Sequence, residues 1–337
     1  MEYFHIFSSG LIVTLSTVFV FFLKKYLEFK DSQISKAVPI DKFGKYDLSG
    51  KVIILTGATD GIGKEMARLL SSFNPKRLII PARNKQKGIN LLNYIKNKNG
   101  SSDNVEIWDI DLADLQSVVD FADKFIREVG ELHMLFNNAG LFNLDNIRTK
   151  DNLESHLQVN HLAPFLLTIK LLDTLKKSAT PDSPSKISFT SSVTNHYYNL
   201  DMDDLLFKNT KKLHYNYYYT KIMNIMISNE IAHRYQNSNI TSSSAHPGLI
   251  NTQMIKSNDS LIGKIIIKFV KYHTESWEQG AVNMLYPVLS SNINDNGNYF
   301  DKCVEREPNK ITLDEEMREI LWDFSVDLLT EKGYFQK

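Results

Sequence analysis

A single cysteine, Cys303, is all the chain contains, which rules out an internal disulfide. No Cys/His cluster has metal-ligand spacing either, so neither an oxidising compartment nor a zinc site is implied. Net charge is equally lacking. Lys and Arg number 39, Asp and Glu 39, leaving no overall field to draw in nucleic acid. Internal repeats and long low-complexity segments are missing, and KNKNGSSDN at 96–104 reads only as a loop. At 337 residues the chain is long enough to bury one substantial core.

Charge is absent locally from Ile6 to Leu23 (IFSSGLIVTLSTVFVFFL), a mostly apolar run followed by Lys24, Lys25 and Lys30. At about 1.5 Å per residue such a helix covers most of a ~30 Å hydrocarbon core. A cleaved signal peptide is the rival, but no basic start precedes the run and no small-x-small site follows it. The reading is a retained anchor (1–25), a linker (26–47) and one main domain (48–337). The lysines place that domain on the cytosolic side by the positive-inside rule. A monotopic hairpin or insertion into a lipid droplet is the alternative for so short a run.

What the chain does have begins with KVIIL (51–55), the turn TGATDGIG (Thr56 to Gly63), and KEMARLLSSF with Met66, Ala67, Leu69, Leu70 and Phe73 at helical spacing. This is strand, turn, helix. Gly57 permits the turn, Gly61 lets backbone approach a pyrophosphate, and Gly63 allows helix to pack on strand, with the helix N-terminus aimed at the anion. Thr59, Asp60 and Ile62 belong to the same turn. The spacing is G-x-x-x-G-x-G rather than G-x-G-x-x-G. A second strand, Arg77 to Ala82, ends at Arg83, where a NAD site would carry an acid for the ribose 2'-hydroxyl. Arg83 instead offers a planar cation suited to a 2'-phosphate, and Lys64 adds charge beside the turn. NADP is therefore the expected cofactor, with NAD as the alternative.

Three further strand ends carry small or polar residues. VEIWDID leads to Asp111 and Leu112; HMLFNNAG ends in Asn137, Asn138, Ala139 and Gly140, a surface that a flat ring could approach; KISFTSS delivers Ser191 and Ser192. In an open parallel sheet, ligands bind outside the carboxyl ends of strands, so these segments converge. A helix around Asn160 (LQVNHLAPFLLTIKLL) lies between. Tyr217 and Lys221 in YYYTK follow, one helical turn apart.

The order TGxxxGxG, NNAG, Asn, Ser, YxxxK resembles the short-chain dehydrogenase/reductase family over roughly residues 48 to 330. TDGIGKEMA, VNHLAPFLLT, TSSVT, AHPGLINT and GNYF resemble its membrane-anchored retinol-dehydrogenase branch, and LDMDDL (200–205) is also similar to the dehydrogenase/reductase acting on polyprenols. The resemblance implies an α/β fold, a Rossmann-type doubly wound parallel sheet in a single catalytic domain behind the N-terminal membrane anchor. It implies hydride transfer between NADP(H) and a hydrophobic alcohol or its carbonyl, retinoid or polyprenoid first, steroid or fatty aldehyde behind.

Carried over by motif, Tyr217 is the proton donor and acceptor. Lys221 stabilises its phenolate and contacts the nicotinamide ribose; Ser192, with Ser191 as fallback, donates to the substrate oxygen; Asn160 holds a water that connects Lys221 to solvent. Pro247, Gly248 and Thr252 contact the nicotinamide end, and His246 is structural. The branch implies an endoplasmic-reticulum membrane, with lipid droplet or mitochondrial membrane as alternatives. It leaves a homodimer through the helices bearing Asn160 and Tyr217 open. A catalytically idle nucleotide-binding scaffold or redox sensor is the contrasting class. Finally, SLIGKIIIKFVKYH (260–273) puts Ile262, Ile265, Ile266, Phe269 and Val270 on one helical face and Lys264, Lys268 and Lys271 on another. It reads as a lid over the substrate or an interfacial helix.

Overall fold

The computed structural model describes residues 38–143, 145–210, 214–250, 275–290 and 296–335. The expected anchor, Thr252 and the 260–273 helix lie outside them. Among the described residues no helix is long and apolar enough to cross a membrane.

Strand β1 (Val52–Leu55) is buried along its whole length, as its unbroken VIIL run requires of a strand covered on both faces. Its side chains divide by parity: Val52 and Ile54 enter one apolar cluster, Ile53 and Leu55 the other. Parallel to it lie β2 (Arg77–Ala82) and β4 (Met134–Asn137), with Ile54 paired to both Ile79 and Leu135. The sheet continues through β3 (Val105–Asp109), β5 (Ser185–Thr190), β6 (Ile240–His246), β7 (Tyr299–Asp301) and β8 (Val304–Arg306), in the order β3-β2-β1-β4-β5-β6-β7-β8. All neighbours are parallel except β7 and β8. The order reverses between β1 and β4, the switch point where a doubly wound sheet opens a crevice at its carboxyl edge.

Helices α1 (Gly61–Ser72), α2 (Lys85–Asn99) and α6 (Trp277–Leu289) bury Met66, Leu70, Leu91 and Leu285 on one face. On the other lie α3 (Leu115–Glu128), α4 (Ala163–Ser178), α5 (His214–Arg234) and α7 (Glu315–Glu331), contributing Phe121, Phe165, Met226 and Leu329. Fully buried Phe125, Phe136, Phe165 and Phe189 each contribute roughly 1.5–3 kcal/mol of hydrophobic stabilisation. Side-chain caps set several helix starts: Asp60 accepts from Gly61 N, Asn84 from Lys87 N and Ser276 from Gln279 N.

The compact unit begins at Val38, where Phe43 and Tyr46, in the stretch read as linker, pack on Phe73 at centroid distances of 6.1 and 5.4 Å and on each other at 5.2 Å. The C-terminal helix α7 covers α4 and α5: Trp322 meets Phe165 edge-on at 5.0 Å, His161 Nε2 bonds Ser325 Oγ at 2.8 Å, and Arg318 reaches Glu230 at 3.2 Å.

Candidate active site

At the carboxyl edge of β1, Thr56 Oγ1 donates to Phe136 O at 3.2 Å and accepts from the N–H groups of Asn138 and Ala139, both at 3.0 Å. Asn138 Nδ2 returns to Thr56 O at 3.0 Å and Gly57 O at 3.2 Å. These bonds stitch the glycine turn to the end of β4. Asn138 therefore shapes the site with its side chain consumed, leaving the backbone of Ala139 and Gly140 as the exposed surface.

The glycines are demanded by space. Gly57 has φ +67°, and a Cβ there would lie 2.6 Å from Ala139 Cα; one on Gly63 would lie 2.2 Å from Gly57 O. Gly61, at φ +55°, faces open space, as a residue presenting backbone to a ligand does. Around this turn runs a cleft of about 690 Å³, lined by Thr59, Asp60, Ile62 and Gly63 from the turn and by Arg83, Asp111 and Leu112 from the ends of β2 and β3. Its other end is lined by Gly140, Ser192, Tyr217, Lys221, Pro247 and Gly248. The volume is that of a cofactor-sized site. Together the open glycine turn, the α1 N-terminus and the cation at the β2 end fit a phosphorylated dinucleotide.

Arg83 keeps a side chain 74% exposed, 3.8 Å from Asp111 Oδ1. Lys64 is engaged elsewhere, its ammonium 3.7 Å from the Tyr94 ring centroid, so its expected help at a 2'-phosphate is not seen. Lys87, not anticipated, stands 4.0 Å from Asp60 Oδ2. Its signal was available: it lies one turn past Arg83, at the start of α2.

Tyr217 and Lys221 sit on α5 against the ends of β4 and β5. Lys221 is 2% exposed; its Nζ donates to Thr190 O at 3.0 Å and lies 5.4 Å from the Tyr217 ring centroid. Thr190 O also accepts from Asn224 Nδ2 at 3.1 Å. Burial raises the Tyr217 phenol above its ordinary value, with Tyr218 adding to the effect, and pulls the Lys221 ammonium down to about 8. Without nucleotide, burial disfavours the charged form of both groups.

The two serines separate by their bonds. Ser191 Oγ donates to Lys221 O at 2.7 Å and is spent on the backbone. Ser192 Oγ accepts from Thr194 N at 3.3 Å, which leaves its proton for the cleft. Asn160 is fully buried in a π-helical stretch, Leu157–Leu162, of a kind frequent at functional sites. Its Oδ1 accepts from Leu141 N at 2.8 Å, while Nδ2 donates to Leu141 O at 3.0 Å and Thr220 Oγ1 at 3.2 Å. So engaged, the side chain pins the segment after β4, and Oδ1 keeps a second acceptor position. A Cβ on Gly140 would still meet both Lys221 Nζ, at 3.2 Å, and Asn160 Oδ1, at 3.4 Å, so the groups converge. Among the described residues no cluster of three or more His, Cys, Asp or Glu could hold a metal.

The short chain dehydrogenase family matches residues 51–261. Retinol dehydrogenase 12 of Homo sapiens is 33% identical over 285 residues, covering 84% of this chain and 87% of that one. Human polyprenol dehydrogenase is 29% identical, over 82% and 84% of the two chains. Among solved structures, an NADPH-bound carbonyl reductase from chicken fatty liver superimposes with a TM-score of 0.57 at 21% identity, over 76% of this chain and 97% of its own.

Proposed function

Since the chain belongs to the short-chain dehydrogenase family, oxidoreductases that act on CH–OH groups, we propose that it reversibly interconverts a hydrophobic alcohol and its carbonyl with NADP(H). The observation that carries the reading is the convergence of Tyr217, Lys221 and Ser192 on the glycine-bounded cleft. Retinoid or polyprenoid carbonyls lead as substrates, supported by the relatives' names and by the apolar wall of Val159, Val193, Leu249 and Trp277.

Gly57, Gly61 and Gly63 with the α1 N-terminus would hold the pyrophosphate, and Arg83 with Lys87 the 2'-phosphate. When bound, NADP(H) supplies or accepts the hydride. Ser192 Oγ would donate to the carbonyl oxygen and orient it. Tyr217, kept protonated by burial, would pass its proton to that oxygen as negative charge develops on it. Lys221, with an ammonium weakened to about 8, can then return a proton to the phenolate. In the reverse direction the same oxygen, as phenolate, would take the alcohol's proton, so one residue serves both directions. Thr252, outside the described residues, is assigned to the nicotinamide end by motif alone.

Residues 6–23 are proposed as a single-pass anchor that leaves the catalytic domain in the cytosol, at an endoplasmic-reticulum membrane. Carbonate extraction with and without residues 1–25 tests the anchor. Sugar on Asn99, Asn239 or Asn258, each opening an N-x-S/T sequon, would reverse the orientation. The central test is NADPH and NADH oxidation with retinal, a polyprenal and a short aldehyde. Tyr217→Phe should leave only a small residual rate, about a hundredth of the parent's or less, and full activity in that variant would overturn the mechanism.

A further inference from the structure

Behind Tyr217, away from the cleft, lies a buried acid–imidazole pair that the chemistry above leaves unused. His156 is 0% and Glu154 3% exposed. Their bond, His156 Nδ1 to Glu154 Oε1, is 2.8 Å, and Glu154 Oε2 accepts from Leu157 N at 2.9 Å. On the far side of the ring, Nε2 accepts from Asn143 N at 3.2 Å. A backbone N–H can only donate, so Nε2 carries no proton; the proton sits on Nδ1 and is donated to the carboxylate. The imidazole is therefore locked in one neutral tautomer. Asn143 Nδ2 adds a bond to Ser155 Oγ at 3.1 Å.

What this lock holds is the segment after β4. Phe142 stands edge-on to the Tyr217 ring, with centroids 5.2 Å apart and planes at 87°. His156 closes a triangle, its ring 6.4 Å from Phe142 and 6.4 Å from Tyr217. The phenol ring is thus wedged by two rings whose positions depend on one proton. From the opposite end of the same segment, Asn160 grips Leu141 through two bonds.

We propose that Glu154 and His156 are positioning residues for the reaction, fixing Phe142 against Tyr217 so that its hydroxyl meets the carbonyl in one orientation. The inference rests on the oxidoreductase reading above. Glu154→Gln is the sharpest probe. Both carboxylate oxygens accept, from His156 and from Leu157 N–H, whereas an amide has one acceptor; either way round, its NH2 faces a donor or inverts the tautomer and opposes Asn143 N–H.

The test uses the full chain with NADPH and the most active carbonyl among retinal, a polyprenal and hexanal. Glu154→Gln and His156→Gln should each lower kcat about ten-fold or more, with KM and the NADPH Kd from fluorescence titration changed less than about two-fold. Introduced into Tyr217→Phe, neither should reduce the residual rate further, because they act through that ring. Phe142→Leu, which leaves the pair intact and guards against a folding failure at the buried sites, should lower kcat in the same direction. An unchanged kcat in folded Glu154→Gln and Phe142→Leu, or an equal loss in the Tyr217→Phe background, overturns the proposal. Full activity in Tyr217→Phe alone instead overturns the reading on which it rests.

Discussion

Replacing Lys221 by methionine should abolish turnover and yet stabilise the protein without nucleotide. The ammonium is 2% exposed, and its pKa is drawn by burial from an ordinary 10.5 down to about 8. At about 1.36 kcal/mol per pH unit, this corresponds to roughly 3 kcal/mol of cost for keeping the charged form in the fold. Methionine has similar length and no charge. It forfeits the bond to Thr190 O, worth about 1 kcal/mol, but that carbonyl keeps its second donor, Asn224 Nδ2 at 3.1 Å, so no buried acceptor is orphaned. The net gain expected at pH 7 is about 2 kcal/mol, or a rise in Tm of roughly 3–6 °C. The sign also dictates the pH dependence. Below about 8 both folded and unfolded chains hold the proton, and only the folded one bears the cost. Between about 8 and 10.5 the folded chain sheds it first, so the cost fades as pH rises and is gone above 10.5. Urea unfolding of both proteins at pH 7 and near 10.5 is the assay. A variant no more stable than the parent at pH 7, or a gain equal at both pH values, would refute the reasoning.

Three other outcomes follow from the same geometry. Gly63→Ala should cost about 2 kcal/mol or more and weaken NADPH binding at least about ten-fold, since its Cβ would sit 2.2 Å from Gly57 O; Gly61→Ala, in open space at φ +55°, should cost only about 1–2 kcal/mol. Thermal melts with and without NADPH separate the two. Arg83→Ala should raise the Kd for NADPH about ten-fold or more and leave that for NADH within about two-fold. Ser192→Ala should lower kcat about a hundred-fold with stability nearly intact. Ser191→Ala should instead cost about 1 kcal/mol of stability through its lost bond to Lys221 O.

Periodicity and turn chemistry made the α/β architecture legible, because VIIL at β1 and the glycines after it obey local rules of burial and backbone freedom. The cleft residues were legible by motif, since motif positions map to strand ends. Less visible were facts fixed by neighbours distant in sequence. Lys64 finds Tyr94, thirty residues on, and no local pattern announces a cation over a ring. Burial disfavours the charged forms of Tyr217 and Lys221, and such desolvation depends on everything packed around them, which no motif announces. The β7–β8 turn is made by Lys302 and Cys303 at φ +51° and +67°, without the Gly or Asn that would signal it. Glu154 and His156 are two unremarkable polar residues until Asn143 N–H meets the ring.

Helix α7 has a consequence for assembly. By laying Trp322, Ser325 and Arg318 over α4 and α5, the polypeptide supplies from its own tail the apolar shelter that a second subunit could otherwise provide. Trimming the chain ahead of Asp314 would bare Phe165 and remove one of the two guanidinium partners of Glu230, leaving it Arg234 alone. Such a fragment should self-associate or aggregate, whereas the intact enzyme carries that protection wherever it goes.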